Sequence, residues 1–142
     1  MDQKLNKWIS VLGNTDRYFR EAIVEHREEI LDLNVAQLRS GKDSLGELLD
    51  EYASDAYAQF KQAIGSQAPL GIPDLILEGD FTEGFVLKGD GVEFFITSTD
   101  EKKDRLRDKY GEDIFGLAEE SLEEIRPAIL ESFLIRLRNN LT

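Results

Sequence analysis

His26 is the single histidine of the chain, and there is no cysteine. A histidine that moves protons needs a partner group within hydrogen-bond reach. The stretch "AIVEHREEI" puts His26 on or beside the apolar stripe of a predicted helix, and no motif supplies that partner. It reads as a packing or half-exposed residue. Without cysteine there are no disulfide scaffolds, thiolate zinc sites or cysteine nucleophiles. Carboxylates are plentiful, with 29 Asp and Glu, so close pairs arise by chance. "DEKKD" and "EESLEE" offer metal ligands by residue type alone. A calcium loop needs oxygen ligands at fixed offsets around a glycine, closed by a glutamate. "DGVEFFITSTDE" lacks that order. "GKDSLG" follows no strand and lacks the eight-residue spacing of a phosphate loop. No Gly-x-Ser-x-Gly elbow occurs. The residue types therefore point away from an enzyme, and no catalytic, metal or cofactor site is expected.

The totals set the frame for those residues. A chain of 142 residues is expected to be one domain, large enough to bury roughly 68–70% of its unfolded surface. Its formal charge is −12. Nucleic-acid binding rests on neutralising phosphates, so neither sequence-specific nucleic-acid binding nor attraction to anionic membranes is expected. No apolar run approaches the ~20 residues that span a bilayer. "MDQKLNKWIS" lacks the apolar core of a signal peptide, which predicts a protein that stays in the cytoplasm.

Four segments follow in chain order: 1–40 helical, 41–72 a connection with a short helix, 73–98 a hairpin sheet, and 99–142 C-terminal helices. Residues 4–12 predict a short amphipathic helix with Leu5, Trp8, Ile9 and Leu12 on one side. After Gly13, a second helix carries Phe19, Ala22, Ile23, His26, Ile30 and Leu33 at helical spacing and runs on to Leu38. Ser54 or Asp55 starts a helix through Tyr57, Phe60 and Ile64. "GSQAPLGIPD" is a loop by composition. Three strands are expected next, at Leu75–Leu77, Phe81–Lys88 and Val92–Ser98, with "GDG" supplying a tight turn. Val92, Phe94 and Ile96 share one face of the last strand. Glu93, Phe95 and Thr97 share the other, where Phe95 implies partial cover. Ser98 and Glu101 read as a capping box for a helix that ends at Gly111. The last helix starts near Ala118 with an apolar stripe of Leu122, Ile125, Ile129, Phe133, Leu137 and Leu141, widened by Leu130 and Leu134. Pro127 lies inside it and predicts a kink or a break. Helices, then an antiparallel sheet, then helices packed on one face define an α+β fold.

The order of these segments resembles the phage tail-completion, or head–tail neck, proteins of the virion-morphogenesis family. The match runs over roughly residues 35–141. In "GKDSLGELLDEYASDAYAQFK" the matching positions are Gly41, Leu45, Tyr52, Tyr57 and Lys61. Leu75, Gly79 and Phe81 follow the family's turn, then comes the hairpin. Phe115, Gly116, Leu117, Glu120 and Glu124-Ile125 match its lead-in to the C-terminal helix. Where many members carry "YA…HQFG", this chain has "DEKKDRLRDKYG".

The resemblance implies a non-enzymatic structural protein of the virion, assembled in the host cytoplasm. It would be a ring-forming connector or tail-completion subunit that joins portal or head to tail and lines the DNA channel. Its partners would be copies of itself and the phage proteins on either side. The hairpin's aromatics then suggest a subunit interface of Phe81, Phe85, Phe95, Phe115 and Leu117. The acids Asp74, Glu78, Asp80, Glu83, Asp90 and Glu93 suggest a wall facing DNA, whose charge would keep phosphates from sticking. Two alternatives stand beside it. One is an acidic module that mimics DNA in a basic groove. The other is a metal-dependent hydrolase working through carboxylates.

Overall fold

The computed structural model describes residues 10, 13–52, 54–75, 80–90 and 93–141. The helix expected over 4–12 lies outside them except for Ser10. The described residues form six α-helices and one two-stranded antiparallel sheet, an α+β fold. The helices are α1 Thr15–Glu25, α2 Arg27–Arg39, α3 Asp55–Ala63, α4 Asp80–Glu83, α5 Lys103–Tyr110 and α6 Glu119–Leu141. The strands are β1 Phe85–Asp90 and β2 Glu93–Ser98.

The first apolar stripe makes two helices rather than one. At His26 the backbone (φ −100°, ψ 17°) leaves helical geometry, and its N–H bonds the Ile23 carbonyl three residues back. The imidazole sits 3.1 Å from Glu29 and 3.9 Å from Glu25, so the half-buried ring marks the joint. Helix α1 packs along α6. Phe19 meets Phe133 edge-on at 5.7 Å. Arg136 reaches Glu21 at 3.4 Å and Glu25 at 2.9 Å. Ser132 donates to Glu25 as well. The Ser132 hydroxyl first, then Arg136, holds the Glu25 carboxyl below its ordinary range.

The hairpin is shorter than expected. Residues 80–83 form one turn of helix, and β1 begins only at Phe85. The cause is local. The Phe81 carbonyl accepts from the buried Ser98 hydroxyl at 2.8 Å instead of joining a ladder. Gly84 then lets the chain pass closely, since a Cβ there would lie 2.8 Å from Ser98 Oγ. Of the expected first strand only Leu75 is described; it is not in a strand, and its φ is +56°. The register runs from Phe85↔Ser98 to Asp90↔Glu93.

Ser98 does not form the capping box. Its hydroxyl serves Phe81 and accepts from the Asp100 N–H. The turn before α5 is held instead by Asp100, which accepts from the Lys102 N–H at 2.8 Å. Ser54 does cap α3, accepting from the Tyr57 N–H. Helix α6 passes through Pro127 without ending there. Its expected stripe is only partly covered: Ile125 is in the core, while Leu122, Leu130 and Leu134 are exposed.

Phe81, Phe85 and Phe115 form an aromatic triangle with ring centroids 5.1–5.8 Å apart. Each such pair adds about 0.5–1.5 kcal/mol beyond the area it buries. Ile30, Leu38, Ile96, Leu106, Ile114 and Ile125 join the same core. Leu49, Ala68, Ile72 and Leu75 extend it beneath the connection.

Candidate functional site

The segment "IFGLA" is fixed by two buried amides on α2. Asn34 Nδ2 donates to the Ile114 carbonyl at 3.1 Å, and its Oδ1 accepts from the Gly116 N–H at 2.9 Å. Gln37 Nε2 donates to the Gly116 carbonyl at 2.9 Å, and its Oε1 accepts from the Ala118 N–H at 2.7 Å. Two side chains thus act as a short strand for an irregular backbone, whose polar groups need partners once buried. Gly116 adopts φ +110°, where a side chain would be strained. The clamp sets Phe115 against Phe81 and Phe85, and so holds the base of the hairpin. Asn34 and Gln37 were not among the expected site residues. Their positions between Ile30 and Leu38, on the helix's inner face, were the available signal.

The expected interface residues divide sharply. Phe81 and Phe85 are 2% and 5% exposed. Phe115 and Leu117 are half-buried against the same core. These four belong to the chain's own core, and Phe81 and Phe85 present almost no surface outside it. Phe95 is different, at 58% exposed. The outer face of β2 is therefore open at Phe95 rather than covered.

A groove of about 570 Å³ runs beside Phe95, between the hairpin and the α1–α2 joint. Its apolar lining is Val24, Leu87, Phe94 and Phe95. Arg20, Arg27 and Lys88 bring three cations to it, in a chain of net charge −12. Lys88 is paired across the sheet with Phe95. Arg27 has Glu28 3.8 Å away on its own helix.

A second apolar surface lies on α3. Tyr57, Phe60 and Ile64 follow one another at spacings of three and four along one face. They are 39%, 55% and 61% exposed. The inner face of α3 buries Ala58 and Lys61 instead. Leu70, in the loop that follows, is exposed as well. Helix α5 contributes to clefts that border each surface. Its Arg107 lines the cleft beside Phe94 and Phe95, whereas Arg105, Leu106, Lys109 and Tyr110 line a cleft with Tyr52 and Tyr57.

The expected acidic wall loses one member. Asp74 is not on a surface but in a buried ion pair, 2.9 Å from Lys61, with both side chains 7% exposed. Breaking such a pair leaves an uncompensated buried charge, at about 3–5 kcal/mol. The positive member comes from the buried face of α3, and Pro73 and Leu75 surround the acid with packed chain. Tyr52 lies close by. Burial first, and the Asp74 charge second, push its hydroxyl up to about 12. Glu83 and Glu93 are exposed. Asp80 falls in α4 and Asp90 ends β1, but their side chains lie outside the described residues, as does all of Glu78.

Among the described residues, no group of three or more His, Asp or Glu side chains converges as a metal site. No helix among them is long and apolar enough to cross a membrane. Comparison of the chain with protein-family models, curated proteins and solved structures gave no match.

Proposed function

We propose that this chain is a structural subunit of a tailed phage or prophage virion, a ring-forming connector or tail-completion protein between portal or head and tail. It acts by shape, breaks no bond and uses no cofactor. Its partners are further copies of itself and the phage proteins on its two sides. It assembles in the host cytoplasm and ends in the virion.

The observation that carries this reading is the presence of two unlike apolar surfaces on one small acidic chain. A head-to-tail interface needs two different patches on each copy, and closes to a ring when the rotation allows. The groove beside Phe95 and the outer face of α3 supply two such patches. The hairpin adds a sheet with only two strands among the described residues, which leaves backbone edges able to pair. The net charge of −12 fits a channel that DNA must slide through, and exposed Glu83 and Glu93 belong to the face we assign to it.

Negative-stain imaging of the purified chain, alone and mixed with phage heads and tails, tests the reading. Rings, or heads joined to tails only when the chain is added, are the expected result. A monomer that never assembles and never joins the two would overturn it.

A further inference from the structure

We infer that the two surfaces are the two halves of one contact: the outer face of α3 on one copy seats in the groove between hairpin and α1–α2 joint on the next. The inference rests on the ring reading and specifies the contact that builds it. A short helix that presents anchors at i, i+3 and i+7 is the form that docks in an apolar groove. Tyr57, Phe60 and Ile64 have that spacing and lie 39–61% exposed. The groove's apolar lining includes Leu87 and Phe94, and the 58%-exposed Phe95 borders it.

Charge selects a second copy as the occupant. Copies that carry −12 each repel one another, so self-association needs a place where opposite charges meet. Arg20, Arg27 and Lys88 make the groove cationic. The start of α3 is the reverse. Asp55 in its first turn is exposed, as are Asp50 and Glu51 in the connection before it. The one cation of α3, Lys61, is turned inward against Asp74. Helix α3 therefore opens on an acid, with two more in the connection that leads into it, and three cations line the groove. No α3 residue lines the groove of its own chain. The two patches differ, so a contact that repeats in one sense from copy to copy is head-to-tail and leaves each copy one surface for each neighbour.

Two variants test the pairing. The groove variant carries Lys88→Ser and Phe95→Ser. The helix variant carries Asp55→Lys and Phe60→Ser. All four side chains are exposed, so both variants should melt within a few degrees of the parent. Light scattering and analytical ultracentrifugation then read association. The parent chain should assemble, and each variant alone should self-associate at least tenfold more weakly. An equimolar mixture should form a one-to-one dimer and nothing larger, since only one intact helix and one intact groove face each other. If the parent assembles and either variant assembles equally well, the pairing is wrong while the ring reading survives. A folded mixture that stays monomeric also overturns the pairing. A parent that is monomeric even with its phage partners overturns both.

Discussion

Asn34 shows how one buried side chain can decide a local structure. It is fully buried and satisfies two backbone groups 80 and 82 positions away. Removing it leaves the Ile114 carbonyl and Gly116 N–H without partners, at about 1–3 kcal/mol each. Asn34→Ala should therefore destabilise the chain by about 2–6 kcal/mol, read from urea unfolding. The hairpin amides should also lose hydrogen-exchange protection, because Phe115 is no longer held against Phe81 and Phe85. Tyr52 reports on a different neighbourhood. Its hydroxyl ionises at about 12 in the folded chain, against an ordinary value of 10. Between those values the unfolded chain gives up a proton that the folded chain keeps. This contribution to stability is complete below pH 10 and is lost as pH rises to 12. Absorbance at 295 nm should show one late phenolate step. Tyr52→Phe should remove that step and flatten the fall in stability across the same window.

At the scale of elements, Gly41 controls how α2 turns into the connection. It has φ +77°, and a Cβ there would lie 2.5 Å from Ile72 Cγ2 and 3.0 Å from Ala68 Cβ. Left-handed backbone alone costs a residue with a side chain about 1–2 kcal/mol. Overpacking against Ile72 adds about 1–3 kcal/mol. Gly41→Ala should lower stability by about 2–5 kcal/mol, whereas Gly46→Ala, with open space around its Cβ position, should cost only the backbone share. The same elements explain what could be read beforehand. Apolar periodicity located α3 and α6, and alternation with "GDG" located the hairpin. Each is a local pattern. The helical turn at Asp80–Glu83 and the absence of a capping box both depend on a distant partner, and the break at His26 carries no glycine or proline to mark it. Ser98 is diverted to Phe81, seventeen residues away. Local spacing cannot reveal such a bond. Nor can a helical stripe show which side is covered. Tyr57, Phe60 and Ile64 have core-like spacing, yet the covered side is the one that brings Lys61 to Asp74. The exposed groove was illegible for the same reason, since Arg20, Lys88 and Phe95 meet only when the hairpin folds against α1.

For the whole molecule, charge sets how folding and assembly respond to salt. With 29 acidic and 17 basic side chains, the folded chain repels itself, and compaction works against that repulsion. The Debye length falls from about 30 Å at 0.01 M to about 8 Å at 0.15 M ionic strength. Repulsion between distant carboxylates is then largely screened, while groups in contact across a dry interface are screened much less. Raising sodium chloride over this range should increase the melting temperature of the isolated chain. It should also strengthen self-association, because the long-range repulsion between acidic copies weakens more than the short contact between α3 and the groove. Sedimentation velocity at both salt concentrations measures the second effect. A DNA mimic held in a basic partner requires the reverse, with binding that weakens steeply as salt rises. The sign of the salt dependence thus separates two acidic proteins of equal charge, one that binds its own kind through a small complementary patch and one that binds through its overall field.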